Sequence, residues 1–281
     1  MDASVSNAMT VDVEDYFQVS AFEPYIAKDR WDSLPHRVER NTQQILDIFA
    51  EQKIVATFFV LGWVAERYPD LIRRIVGEGH ELASHGWEHI RATEQTPEQF
   101  REDIHKTKLC LEDLCGVAVK GYRAASYSIM RDNWWALEVL EEEGYLYSSS
   151  VYPVKHDLYG VPDASRFAFH PNREGGLLEI PVSTLPLFGR NFPCGGGGFF
   201  RLYPYFLSRW MIQQINQKEK APCVFYFHPW EIDPDQPRQP GLNVKTKFRH
   251  YLNLHRMGAR LQKLIEDFRW QRMDNLFLNQ S

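Results

Sequence analysis

Two histidines, His85 and His89, stand four residues apart at the end of the stretch "HELASHGWEH". Residues able to work with them lie far away in the chain: Asp12, Glu14 and Asp15 in "MTVDVED", Arg123 in "GYRAAS" and His228 in "FYFHPWEID". Two neutral imidazoles and one carboxylate hold a divalent metal while leaving positions open for water and substrate. A second carboxylate can act as general base toward that water. An arginine beside the base would hold it ionised and oriented, and a separate histidine could protonate a leaving amine. This is equipment for metal-assisted amide or ester hydrolysis. The i, i+4 spacing of the histidines predicts a helical turn that presents both on one face.

Each residue taken singly has a plainer explanation. Acids after a strand cap helices, a histidine in an apolar segment fills a core, and an arginine at a strand end joins a structural ion pair. What favours chemistry is that all of them fall at the carboxyl ends of expected strands, where parallel α/β folds gather their ligands.

The elements that must position them alternate along the chain. "AMTVDV" is expected as a strand ending in acids, and "VATFFVLG" as a strand buried on both faces. "HELASH", "VKGYRAAS", "YLYSSSV", "LLEIPVSTL" and "PCVFYFHPWEI" are expected as further strands. Between them, "RVERNTQQILDIFAEQ" has helical periodicity through Val38, Ile45, Ile48 and Phe49, and Pro69 starts a second helix within "WVAERYPDLIRRIVGEG". "TPEQFREDIHKTKLCLEDLCG" has the clearest helix signals, with Thr96 as N-cap, Pro97 first, Gln99 closing a capping box and Gly116 stopping it. "NWWALEVLEEEG" is a further helix. Repeated strand–helix units imply a parallel sheet with covering helices. Residues 151–176 break the rhythm as a loop. The four glycines of "PCGGGGFFRLYP" match no phosphate-binding fingerprint and suit a close-approach loop beside a cleft.

With 281 residues, 44% hydrophobic and 25% charged, the chain suits one sizeable soluble α/β domain. A net charge of -5 argues against nucleic acid, which needs a basic footprint. No run of 18 apolar residues predicts a membrane span, and the N-terminus lacks the pattern of a signal peptide, so a cytoplasmic or inner-face location is expected. Cys110, Cys115, Cys194 and Cys223 form no CxxC pair and are expected as reduced thiols.

"TVDVED", "SHGWEH", "GYRAAS" and "FYFHPWEID", in that order, resemble the motifs of the NodB-type polysaccharide deacetylases of carbohydrate esterase family 4. The longer stretches "MTVDVEDYFQVSAFE", "GGGGFFRLYPY" and "FHPWEIDPDQP" resemble the exosortase-associated exopolysaccharide branch of that family. The resemblance implies a distorted (β/α) barrel of fewer than eight strands, one domain over 1–281 with a family-specific extension from about 235. It also implies removal of acetyl groups from N-acetylhexosamine units of a glycan with a divalent metal, zinc first. By motif, Asp12 is the general base, Arg123 its orienting partner and His228 the general acid. His85 and His89 are metal ligands with Glu14 or Asp15 as the carboxylate, a choice that stays open here. Ser126, whose backbone N–H would meet the oxyanion, lines the substrate site with Tyr127 and Trp230.

The sequence departs from the family pattern in three places. The usual adjacent aspartates are replaced by Asp12-Val13-Glu14-Asp15, and Ala125 stands where the arginine motif carries proline. Ser148 stands where relatives have an aspartate that orients the catalytic histidine, a role Asp157 could fill. The competing functions are a hydrolase of small or cyclic amides on the same fold, and a glycan-binding protein that has lost catalysis.

Overall fold

The computed structural model describes residues 5–156 and 159–278. Asp157 lies outside them. The strands are β1 (Ser6–Val13), β2 (Thr57–Val60), β3 (Glu81–Ser84), β4 (Gly121–Tyr122), β5 (Tyr147–Ser148), β6 (Leu178–Glu179), β7 (Thr184–Leu187), β8 (Arg190–Pro193), β9 (Val224–Phe227) and β10 (Arg269–Gln271). The helices are α1 (Val38–Gln52), α2 (Gly62–Arg67), α3 (Pro69–Gly77), α4 (Pro97–Cys115), α5 (Trp135–Glu142), α6 (Gly197–Leu202), α7 (Tyr205–Gln217), α8 (Val244–Tyr251), α9 (Leu254–Asp267) and α10 (Met273–Phe277).

Strands β1 to β6 pair in chain order, all parallel, and β9 pairs with the other side of the series through Ala8–Val11 of β1. β10 joins β1 only at Ser6–Ala8, before the residues that matter for chemistry. Seven strands, β1–β6 and β9, therefore curl around the cleft, fewer than the eight of a full barrel. The seam between β6 and β9 is closed by irregular chain. Val224 N–H donates to Ser183 Oγ at 2.7 Å, and Tyr226 N–H donates to the Gly195 carbonyl at 2.7 Å. β7 and β8 form a separate antiparallel hairpin.

Local sequence explains the long elements. All four residues of β2 are buried, as a strand covered on both faces requires. α4 begins as its signals predict: Thr96 Oγ1 accepts from Gln99 N–H at 3.3 Å and Gln99 Oε1 accepts from Thr96 N–H at 2.9 Å. Gly116 ends it at φ 64°, and Phe100, Ile104 and Leu111 face the core. The short strands are where expectation and structure part. "VKGYRAAS" and "YLYSSSV" contribute only two paired residues each, and "LLEIPVSTL" splits into β6 and β7. Pro181 between these two has no N–H to offer a ladder, so pairing stops there and the chain turns toward a second sheet. Among the described residues no helix is long and apolar enough to cross a membrane.

Candidate active site and metal centre

β1 delivers two of the acids. Asp12 pairs with Phe59 of β2 near the carboxyl end of the sheet, and Glu14 follows two residues later, so both carboxylates reach the same cleft. Asp15 turns the other way. Its Oδ2 accepts the backbone N–H groups of Arg37 and Val38 at 2.7 and 2.9 Å, and its Oδ1 that of Tyr16 at 2.8 Å. It ties β1 to the start of α1, whose first N–H groups have no partner within the helix. Burial pushes its carboxyl up to about 6 against the pull of those donors. Asp15 as ligand therefore finds no support in the structure; Glu14 is the carboxylate placed with the histidines.

Potential ligand atoms of Glu14, His85 and His89 all lie within 4.8 Å of one another, and all three residues are buried. The histidines do not stand on a helical turn as their spacing predicted. The chain leaves β3 irregularly, with Gly86 at φ 77° and His89 at φ 54°, and this bend brings the rings to a centroid distance of 5.3 Å. Gly86 is needed there, since its left-handed backbone runs against Asp103, 2.9 Å from where a Cβ would stand. His85 Nδ1 lies 2.7 Å from the Arg123 carbonyl, so Nδ1 carries the proton and Nε2 is left as a lone-pair donor. Burial lowers His85 to about 4, which keeps it neutral. His89 Nε2 lies 3.0 Å from Glu14 Oε2, while His89 Nδ1 is buried without a hydrogen-bond partner. Two imidazoles and a carboxylate whose ligand atoms converge in one buried spot fit a divalent cation. Burial works against the charge on Glu14, but His89, His228 and His85 outweigh it and bring the carboxyl to about 2.

Asp12 is held from behind. Arg123 Nη1 donates to Asp12 Oδ1 at 2.6 Å and to Thr10 Oγ1 at 2.8 Å, while Nη2 and Nε reach the Ser149 hydroxyl and carbonyl. The guanidinium is fully buried, packs 4.1 Å from the Phe59 ring centroid, and does not line the cleft itself. His228, at the carboxyl end of β9, approaches from the opposite wall, with Nε2 3.5 Å from Glu14 Oε1 and 4.0 Å from Asp12 Oδ2. Burial opposes its charge, yet Glu14, Glu231 and Asp12 raise it to about 9.

The sequence reading missed what holds His228. Glu231 Oε1 lies 2.9 Å from His228 Nδ1, and Arg201 Nε donates to Glu231 Oε2 at 2.7 Å. The hydroxyl of Ser148 instead donates to Ser150 Oγ at 2.8 Å. The available signal was the acid three residues after the histidine in "HPWE", which forms a capping box around the turn Pro229–Ile232.

Ser126, Tyr127 and Trp230 line the cleft, a space of about 200 Å³, together with the unforeseen Tyr159, Tyr226 and Ser20. Trp230 Nε1 donates to Glu14 Oε1 at 3.2 Å, and its ring stacks on His228. At Ala125, the position without the expected proline, the chain enters a tight turn with Ser126 and Tyr127 both left-handed, at φ 52° and 53°. Strained backbone of this kind costs about 1–2 kcal/mol per residue. A 2.7 Å contact between the hydroxyls of Ser126 and Ser20 holds it.

A curled parallel sheet with covering helices is the fold of the NodB-type deacetylases. A Mycobacterium smegmatis protein assigned as a polysaccharide deacetylase superposes with a TM-score of 0.63 over 98% of this chain and 90% of its own, at 19% identity. Residues 30–145 match the polysaccharide deacetylase family, and residues 149–278 match a domain of unknown function, DUF3473. Over 98 residues the chain is 35% identical to the peptidoglycan-N-acetylglucosamine deacetylase of Bacillus cereus, covering 34% of this chain and 36% of that one. Over 99 residues it is 31% identical to the chitooligosaccharide deacetylase of a Bradyrhizobium species, covering 35% and 43%. The matches thus span about two fifths of these relatives. The eight-stranded sheet runs through both matched segments without a break.

Proposed function

We propose that the chain is a metal-dependent hydrolase that removes acetyl groups from N-acetylhexosamine units of a glycan. The observation that carries this reading is the meeting in one cleft of the Glu14–His85–His89 cluster, the Asp12–Arg123 pair and His228. Glu14, His85 and His89 would hold the cation, with zinc favoured by two imidazoles and one carboxylate. Such a cation supplies Lewis acidity toward the acetamide carbonyl and toward water.

The chain's own residues supply the rest. Asp12 takes the proton of the attacking water, and Arg123 holds that carboxylate in place. Ser126 offers its backbone N–H to the oxygen that gains charge. His228 Nε2 gives a proton to the departing amine nitrogen. Tyr127 and Trp230 form the walls against which the sugar sits. The N-acetylglucosamine glycans named for the relatives support an acetamido sugar as substrate. The DUF3473 match is consistent with the finer reading, a bacterial exopolysaccharide.

The test is acetate release from N-acetylglucosamine oligomers by purified protein, with added zinc and after chelation. Zinc-dependent release is expected. A zinc-loaded protein that releases no acetate from any oligomer would sink the proposal.

A further inference from the structure

His228 is held from behind by residues of the second half of the chain. Glu231 is completely buried and meets it twice, accepting its backbone N–H at 3.1 Å and facing Nδ1 at 2.9 Å. A buried carboxylate needs a partner of opposite charge, and Arg201 of α6, itself 2% exposed, provides it at 2.7 Å. Arg201 is in turn held by carbonyls, with Nη1 donating to His250 and Leu252 and Nη2 to Arg249 at the end of α8.

The glycine run makes this packing possible. A Cβ on Gly197 would stand 2.2 Å from Glu231 Oε1, and one on Gly195 2.2 Å from the Val224 carbonyl. The run lets the backbone of α6 lie directly on the Glu231 carboxylate and on β9, so that Arg201, one turn later, meets Glu231 edge on.

We infer that Glu231, clamped by Arg201, is the positioning residue for His228, and that the segment matching the domain of unknown function supplies this half of the active site. With Nδ1–H given to Glu231, the ring is fixed so that Nε2 faces Asp12 and Glu14. This takes the place of the aspartate that Ser148 lacks. The inference rests on the deacetylase reading for its kinetic consequence but not for its geometry.

The experiment uses the full zinc-loaded chain. Glu231→Ala is expected to lower kcat for acetate release about 100-fold while KM moves less than about threefold. Glu231→Gln, whose amide oxygen still accepts from Nδ1, is expected to recover at least about tenfold of that loss. Either change leaves Arg201 buried and unpaired, so the double variant Arg201→Met/Glu231→Gln, which removes both charges, is made alongside. It is expected to fold, to bind zinc one-to-one and to keep the Gln-level kcat. A second readout needs no turnover. Selective ¹⁵N labelling of histidine should show a slowly exchanging Nδ1–H on His228 that is lost in Glu231→Ala. Wild-type kcat in a folded Glu231→Ala protein, or a His228 Nδ1–H signal indifferent to Glu231, overturns the inference. A signal that depends on Glu231 in a protein that releases no acetate upholds the positioning and removes the deacetylase reading instead.

Discussion

Glu14 and Asp15 are neighbours in the chain, yet their carboxylates serve different structures: Glu14 Oε2 sits 3.0 Å from His89 Nε2, while Asp15 Oδ2 binds the backbone where α1 begins. The two should separate cleanly on substitution. Glu14→Gln is expected to weaken zinc binding by more than about 100-fold, beyond what loss of an outer-shell contact brings. Asp15→Ala is expected to cost about 1–2 kcal/mol of stability while zinc still binds one-to-one. Isothermal titration calorimetry with thermal unfolding decides it, and the reverse pattern would restore Asp15 to the ligand set.

His85→Ala is expected to abolish stoichiometric zinc binding and leave the far-ultraviolet circular dichroism unchanged. The ring makes one hydrogen bond, from Nδ1 to the Arg123 carbonyl, and loss of such a buried partner costs about 1–3 kcal/mol, which a domain of this size survives. One-to-one zinc binding by this variant would mean that the site is elsewhere.

Asp12→Asn should leave zinc bound and KM little changed while kcat falls about 10³-fold, within the range for loss of a positioned general base. The amide oxygen still accepts from Arg123 at the 2.6 Å contact, but the buried guanidinium loses its counter-charge. The variant is therefore expected to be less stable than the parent, and its folding is checked by melting. Equal loss in kcat and in zinc affinity would assign Asp12 to the metal rather than to the water.

How much of this was legible beforehand depends on the range of the interaction responsible. α4 could be read to the residue because Thr96, Gln99 and Gly116 act on their own backbone. The gathering of Asp12, His85, Arg123 and His228 could be read because a parallel sheet puts all its strand ends on one side. The bend at Gly86 was not readable as such, since nothing in HxxxH spacing separates a helical turn from a left-handed loop that brings the same rings together. The Arg201–Glu231 pair was hidden for a different reason: the two residues stand 30 apart, and only the packing of α6 on β9 joins them. Two-residue strands such as β4 and β5 depend on how the sheet curls, which local propensity does not encode.

Gly197 and Gly198 offer a paired control on the glycine run. A methyl group at Gly197 would meet the Glu231 carboxylate at 2.2 Å, whereas nothing lies within 4 Å of one at Gly198. Gly197→Ala is expected to destabilise by about 1–3 kcal/mol, as overpacking does, and to lower kcat with it. Gly198→Ala, inside α6 and unobstructed, should be neutral or stabilising by a few tenths of a kcal/mol. Parallel melting curves and acetate assays check this; equal effects at both positions would mean that the run acts through flexibility and not through close approach.

Away from the cleft, His80 should contribute to the acid limit of stability, as should His250, which burial lowers to about 3. It is buried beneath Phe49 and Phe58, and its Nδ1 accepts the Ala56 N–H at 3.1 Å, a bond only the neutral ring can take. Burial lowers it from 6.5 to about 4, with Arg272 and Arg74 adding to the effect and Glu78 opposing it. Because the folded-state value is below the unfolded one, the unfolded chain binds the proton first. The stabilisation is complete above about pH 6.5 and drains away as the pH falls toward 4. Between pH 7 and 5 the loss should be on the order of 1–2 kcal/mol. His80→Gln, which keeps an acceptor for Ala56 but has no proton to gain, is expected to start less stable at pH 7 and to show a flatter decline. Urea unfolding at pH 7, 6 and 5 measures both slopes, and a decline as steep in His80→Gln as in the parent would place the acid-sensitive group elsewhere.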